Sequence, residues 1–200
     1  MKKVQYILGM IICCIIMFLS CSKSNDVSSS ALLPELVQAE EIMYESPDSA
    51  LHILQTMPIP QPSDKLQNAT WALFMTQAKY KLYVGQSDSL INIASDYFIH
   101  QKNPQRKALV FYYKAALFKE NVKIEDAQNY YLKAIDEVEK TDDYKLAYLI
   151  YAGLGDLYAY RSLTDYALST YETAYKYAIK SNINGQVISS YMNLARIYGK

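Results

Sequence analysis

The chain has 200 residues, of which 51% are hydrophobic and 20% are charged, a composition typical of a folded domain and not of a disordered segment. Its 20 basic and 20 acidic residues balance, which excludes the strongly basic field that draws many proteins to nucleic acids. This length suits one domain with a continuous hydrophobic core.

The first 20 residues have the pattern of a secretion signal. Lys2 and Lys3 precede an apolar stretch from Ile7 to Leu19. That stretch is too short to span a membrane comfortably, because a transmembrane helix needs about 20 apolar residues. We therefore expect residues 1–20 to be a signal peptide and not a membrane anchor.

The end of this segment, Phe18-Leu19-Ser20-Cys21, resembles the bacterial lipoprotein signal, in which a small residue precedes the cysteine that is acylated. The resemblance implies that Cys21 becomes a lipidated N-terminus and that the protein is anchored in the bacterial cell envelope. Ser22 after the cysteine indicates the outer membrane. The alternative is an ordinary signal peptide that happens to precede a cysteine.

The mature chain should then fold without disulfides, because Cys13 and Cys14 lie inside the removed segment and Cys21 is lipidated. Removing the first 20 residues also takes away Lys2 and Lys3, which leaves 18 basic against 20 acidic residues.

Residues 21–33 are rich in serine and lack aromatic side chains, so we expect a flexible tether there.

From residue 34 to residue 200 the sequence has helical periodicity, and no stretch indicates a strand. A first helical hairpin is predicted over 34–44 and 47–57, where Ser46 is a capping residue and Pro47 occupies the first helical position. Three prolines in residues 57–62 then predict a stiff linker. A helix around Trp71 should end near Gly85, and its partner should begin at residues 87–89.

Internal repeats with a period of 40 residues follow. Three sets of positions share this spacing: Phe111, Tyr151 and Tyr191; Ala115, Gly155 and Ala195; and Phe118, Tyr158 and Tyr198. Second helices repeat at the same spacing with Ala127 and Ala167, Tyr131 and Tyr171, and Ala134 and Ala174. Small residues alternate with aromatic ones, a pattern that favours closely packed helix pairs.

This alternation resembles the tetratricopeptide repeat, and the whole arrangement is similar to tetratricopeptide lipoproteins of Bacteroidetes. The resemblance implies an all-α fold over residues 34–200, a right-handed superhelical array of antiparallel helix hairpins. The period of 40 exceeds the family's usual 34. Longer helices, or longer turns around 139–144 and 181–185, should accommodate the extra residues.

The sequence contains no recognisable catalytic or metal-binding pattern. His52 and His100 have no ligand-forming partners at helical spacing, so we expect neither a metal nor a cofactor. No glycine-rich phosphate loop or nucleophile motif occurs. The acidic pairs are adjacent residues, whose side chains point about 100 degrees apart on a helix and do not converge. We therefore expect a protein that is not an enzyme.

In the resembling family, certain positions of each first helix line an inner groove that binds a partner. Carried onto this chain, the resemblance assigns to the groove Tyr112, Lys119, Glu120, Asp156, Tyr160, Met192 and Arg196. Tyr112 and Tyr160 should then lie outside the core. The aromatic residues of the 40-residue sets, Tyr191 and Tyr198 included, should instead be packing residues.

The sequence leaves three functions open. The first is a lipid-anchored scaffold that binds a protein or peptide partner in the cell envelope. The second is the N-terminal sensory half of a larger signal-transduction regulator, since the sequence stops after a first helix whose partner is absent. The third is a glycan-binding lipoprotein, which the 20 tyrosines favour. None of the three needs nucleic acid.

Overall fold

A computed structural model describes residues 31–199, so the predicted signal peptide, Cys21 and most of the predicted tether lie outside the described residues. The described part is all-α and contains nine helices and no strand. The helices are α1 (Pro34–Ile42), α2 (Pro47–Thr56), α3 (Lys65–Lys81), α4 (Ser89–Phe98), α5 (Pro104–Glu120), α6 (Ile124–Val138), α7 (Tyr144–Tyr160), α8 (Thr164–Ser181) and α9 (Asn184–Tyr198).

Helix starts follow local sequence signals. Proline occupies the start of α1, α2 and α5, where no amide donor is needed. Side chains of Asp64, Asn103 and Asp143 accept hydrogen bonds from the amides of Gln67, Arg106 and Leu146, at 3.3, 3.0 and 2.9 Å. Ser46 precedes α2 as predicted. The prediction that it caps this helix is wrong, because its side chain makes no capping hydrogen bond.

Every helix packs against its neighbours in the chain. In addition, α1 contacts α3, α3 contacts α5, α5 contacts α7, and α7 contacts α9. Among the described residues, no two of the helices α2, α4, α6 and α8 contact each other. The odd-numbered helices therefore pack in series, and each even-numbered helix fills the space between two of them.

Stacked aromatic rings and buried small residues hold the two later hairpins together. Phe118 stacks on Tyr130 with 5.3 Å between ring centroids, and Tyr151 stacks on Tyr177 at 5.4 Å. The small residues of both hairpins are buried as predicted: Ala115, Ala127, Ala134, Gly155, Ala167 and Ala174. A Cβ placed on Gly155 would lie 2.6 Å from Cε1 of Tyr171, so glycine is what lets α7 approach α8 this closely.

The 40-residue period is accommodated differently in the two hairpins. Between α6 and α7 the connection covers residues 139–143, as a longer turn predicts. Between α8 and α9 only residues 182 and 183 are left, because α8 continues to Ser181 as an 18-residue helix. The helix around Trp71 also ends at Lys81, earlier than Gly85.

A cluster of four tyrosines, three of them buried and Tyr80 partly buried, lies where α3, α5 and α6 meet. It contains Tyr80, Tyr112, Tyr113 and Tyr131, and the rings of Tyr112 and Tyr113 are 4.9 Å apart. Tyr44, between α1 and α2, is covered by two lysines, with Nζ of Lys145 at 3.1 Å and Nζ of Lys81 at 4.1 Å from its ring centroid. Lys145 lies in the first turn of α7, so the first hairpin contacts the start of the fourth.

Alkaline titration should reveal this cluster. Burial raises the pKa of Tyr80 to about 12, and it also raises the pKa values of Tyr112, Tyr113 and Tyr131 well above 10.0. The folded chain keeps these protons while the unfolded chain loses them, so the stabilisation is complete below pH 10 and declines as the pH rises toward 12.

We therefore expect the free energy of unfolding to fall steeply above pH 10, by up to about 1.4 kcal/mol per pH unit for each buried tyrosine. Urea unfolding at successive pH values measures this slope, and tyrosinate absorbance of the folded chain should lag behind that of the urea-unfolded chain. A free energy of unfolding that stays constant from pH 9 to about 11 would contradict the burial of the cluster.

Candidate partner-binding cavity

A cavity of about 540 Å³ lies where the C-terminal halves of α5, α7 and α9 approach the start of α6. Three different odd-numbered helices supply its polar side chains. The lining residues are Lys119, Val122, Ile124, Asp156, Ala159, Tyr160 and Arg196. Four of the predicted groove residues, Lys119, Asp156, Tyr160 and Arg196, therefore converge on one cavity although up to 77 positions separate them in the sequence.

Asp156 is the electrostatic centre of the cavity. Its carboxylate accepts a 2.7 Å hydrogen bond from the hydroxyl of Tyr171 and a 3.1 Å hydrogen bond from Nη2 of Arg196. Nζ of Lys119 lies 3.9 Å from its other oxygen. The two donors and this lysine come from α8, α9 and α5, so one carboxylate on α7 connects four helices.

Tyr171 supports this arrangement from beneath. It is fully buried against Gly155, and its hydroxyl oxygen also accepts a 2.6 Å hydrogen bond from Arg196. Burial, followed by the hydrogen bond to Asp156, raises the pKa of Tyr171 well above 10.0, although the charge of Arg196 acts in the opposite direction. The phenol therefore remains a neutral donor that holds Asp156 in place.

The cavity combines two cations and one anion with an aromatic and aliphatic rim. Lys119 and Arg196 together exceed Asp156 by one positive charge. Tyr160, 69% exposed, and Val122, 66% exposed, stand at its edge. Such a surface can anchor an aromatic or aliphatic side chain while the excess cation attracts an acidic group.

The other predicted groove residues do not line this cavity. The expectation that Tyr112 lies outside the core is wrong: it is only 7% exposed and packs against Tyr80, Tyr113 and Tyr131. The family position implied an exposed side chain, but other tyrosines of the cluster cover it. Glu120 and Met192 are exposed but do not line the cavity.

The prediction that Tyr191 and Tyr198 are packing residues is wrong for the described chain. Their side chains are 56% and 69% exposed, because α9 contacts only α7 and α8 among the described helices.

Sequence reasoning missed Val122, Ile124 and Ala159, which form the apolar part of the lining. The prediction considered only family groove positions on first helices, whereas Val122 lies in a turn and Ile124 begins a second helix. Val122 has a φ of 58°, a conformation that is uncommon for a β-branched residue. The sequence has no glycine there that would have indicated a positive φ. The turn between two hairpin helices is thus part of the site.

A second cavity of about 450 Å³ lies between the start of α3 and α4 and is lined by Pro62, Lys65, Asn68, Ile93, Asp96, Tyr97, His100 and Gln101. His100 therefore lies away from Asp156 and its partners.

Within residues 31–199, no group of three or more His, Cys, Asp or Glu side chains is arranged to hold a metal ion. No helix in the same range is long and apolar enough to cross a membrane.

Comparison with known proteins adds no assignment. No protein-family model matches the chain, and no curated protein resembles it at a significant level.

Proposed function

We propose that this protein is a tetratricopeptide-like scaffold that is lipid-anchored in the bacterial cell envelope and binds a segment of a protein or peptide partner. Three arguments support the proposal: the serial contacts of the odd-numbered helices, the cavity around Asp156 and the resemblance of the N-terminus to a lipoprotein signal.

The helix contacts favour a curved array. The odd-numbered helices contact one another in sequence, while the even-numbered helices are kept apart within the described chain. Helices that touch on one side and are separated on the other describe an arc whose inner side carries the touching helices. In a right-handed superhelix of hairpins this inner side is the binding surface, as in other helical repeat proteins.

The single observation that carries the binding proposal is the convergence of Lys119, Asp156, Tyr160 and Arg196 on one cavity. These residues come from three successive odd-numbered helices, at positions that the resemblance to the tetratricopeptide repeat assigns to a groove. Their chemistry suits binding better than catalysis, because Asp156 already accepts two hydrogen bonds and pairs with Lys119, and neither histidine lines the cavity. An extended segment with an apolar anchor and an acidic group fits this lining.

The anchoring part of the proposal depends on Cys21. A small residue before the cysteine and a serine-rich stretch after it fit a lipid attached to a tethered domain. Several acyl chains at about 0.8 kcal/mol per buried methylene hold a protein on a membrane far more firmly than one chain does. The binding domain would then face a partner in the same envelope compartment.

Photo-crosslinking in intact cells tests the binding site. With p-benzoylphenylalanine in place of Tyr160, we expect discrete crosslinked products, because this side chain stands at the exposed edge of the cavity. The control carries the same probe at Leu132, an exposed apolar residue of α6 outside the cavity.

Adding Lys119→Ala to the Tyr160 probe should reduce the crosslinked product, since Lys119 supplies half of the positive charge in the cavity. Two outcomes would refute the proposal. One is the same set of products from both probe positions, and the other is no product from the Tyr160 position while its fold, judged by circular dichroism, is unchanged.

A further inference from the structure

The cavity between α3 and α4 is separate from the proposed binding site around Asp156 and shares no lining residue with it. Its volume of about 450 Å³ lies within the range of sites that bind small molecules. The cavity therefore has room for a ligand of its own, and the chemistry of its lining indicates which kind.

Two helix faces build this cavity. The buried residues of α4 face the core, while Ile93, Asp96 and Tyr97, together with His100 just after the helix, line the cavity. These residues are three or four positions apart, so they share one side of the helix. On the first turns of α3, Lys65 and the residue three positions later, Asn68, form the other wall.

The polar side chains of the cavity are available to a ligand. Four of them make no hydrogen bond or ion pair with any other residue described between 31 and 199: Lys65, Asn68, Asp96 and His100. The side-chain nitrogen of Gln101 donates a 3.4 Å hydrogen bond to the main-chain oxygen of Tyr97, which leaves the side-chain oxygen of Gln101 as an acceptor. Donors and acceptors thus line the same space.

The charges of the lining cancel. With His100 neutral, Lys65 is the one cation and Asp96 the one anion among the lining residues. A phosphate or an acidic peptide therefore gains no net attraction from this cavity, in contrast to the cavity around Asp156, where positive charge is in excess. The lining favours a ligand that is polar but uncharged.

We propose that this cavity binds a neutral oligosaccharide. A sugar ring has a face of C–H groups, which packs on apolar surface, and a rim of hydroxyls, each of which both donates and accepts hydrogen bonds. Tyr97 and Ile93 supply the aromatic and aliphatic surface. The amide of Asn68 and the carboxylate of Asp96 stand on opposite walls and supply partners for the hydroxyls.

Tyr97 is also held in position before a ligand binds. Its ring meets that of the buried Phe98 in an edge-to-face contact, with 5.1 Å between centroids and 78° between planes, while the side chain stays partly exposed. A side chain already fixed in one conformation loses little entropy when a ligand covers it. The aromatic surface is therefore preorganised.

Isothermal titration calorimetry tests the proposal on the full chain, purified in a detergent without a sugar headgroup. The probes are neutral hexasaccharides of glucose, mannose, xylose and N-acetylglucosamine, and we expect at least one of them to bind. Tyr97→Ala and Asp96→Ala should each raise its dissociation constant at least about tenfold. Tyr83→Ala is the matched control, because this tyrosine is 95% exposed in the turn after α3 and lies outside the cavity.

Circular dichroism of the variants verifies that they fold, and Asp96→Ala preserves the test if Tyr97→Ala does not, because Asp96 is exposed. Tyr160→Ala should leave sugar binding unchanged, so failure of the peptide site and failure of the sugar site are distinguishable. The proposal is overturned if none of the four hexasaccharides binds or if an anionic hexagalacturonate binds more tightly than all of them. Binding by folded Asp96→Ala that equals binding by the parent overturns it as well.

Discussion

Gly155→Leu is expected to destabilise the protein by about 3 kcal/mol, the upper end of what overpacking a helix contact costs. A Cβ at this position would lie 2.6 Å from Cε1 and 2.7 Å from Cδ1 of Tyr171, closer than real contacts allow. Tyr171 cannot move aside cheaply, because it is fully buried and its hydroxyl is held by Asp156 and Arg196. The helices α7 and α8 must separate instead.

The chain supplies a matched control for this experiment. A Cβ placed on Gly185, near the start of α9, would have no neighbouring atom within 4 Å, so Gly185→Leu makes the same chemical change in open space. There we expect a gain of up to about 1 kcal/mol, because leucine is the better helix former. Thermal unfolding followed by circular dichroism should separate the variants by roughly 10 °C. Equal melting temperatures for both variants would show that α7 and α8 are not in this close contact.

The local features of the fold were readable from the sequence. The hairpin predicted over 34–44 and 47–57 corresponds to α1 and α2, because proline can begin a helix but cannot continue one. The 40-residue period correctly paired Gly155 with the helix that contains Tyr171, because close helix packing demands a small residue opposite a large one. Both signals act between residues that are close in the chain or in one hairpin.

The partners of individual polar side chains were not readable in this way. Lys114 on α5 illustrates the difficulty, because the sequence does not show which groups its charge contacts. In the structure its ammonium donates a 3.0 Å hydrogen bond to Asn92 on α4 and lies 5.1 Å from the ring centroid of Tyr130. The alkyl chain thus spans a packed region while the charge reaches a polar partner. A repeat pattern identifies the position but not such a partner.

The lining of the candidate cavity was predictable only in part. The groove positions implied by the family resemblance include Lys119, Asp156, Tyr160 and Arg196, and these four residues do line one cavity. They could not identify Val122, since its place in the cavity depends on a turn with a positive φ at a residue that rarely adopts one. Nor could they identify the ion pair between Glu40 and Arg106, at 2.7 Å, which joins α1 to α5 across 66 positions.

Tyr112→Ala and Tyr160→Ala are expected to have opposite effects, although the repeat pattern treats both tyrosines as groove residues. Tyr112→Ala should cost about 3 to 5 kcal/mol, because it leaves a cavity where the ring and its hydroxyl were packed among three other rings. Tyr160→Ala should change the free energy of unfolding by less than about 0.5 kcal/mol, since that side chain is exposed.

Urea unfolding of both variants measures the difference, and Tyr112→Phe separates the two contributions. The phenylalanine variant keeps the ring and loses only the hydroxyl, so it should lower the free energy of unfolding by about 1 to 2 kcal/mol. Most of the loss in Tyr112→Ala then comes from the missing ring. If Tyr112→Ala were as stable as Tyr160→Ala, the inner face of α5 would be open and Tyr112 would again be a residue available to a partner. If the predicted loss is observed, the proposed binding surface begins only at Lys119, beyond the tyrosine cluster, at the cavity between α5, α7 and α9.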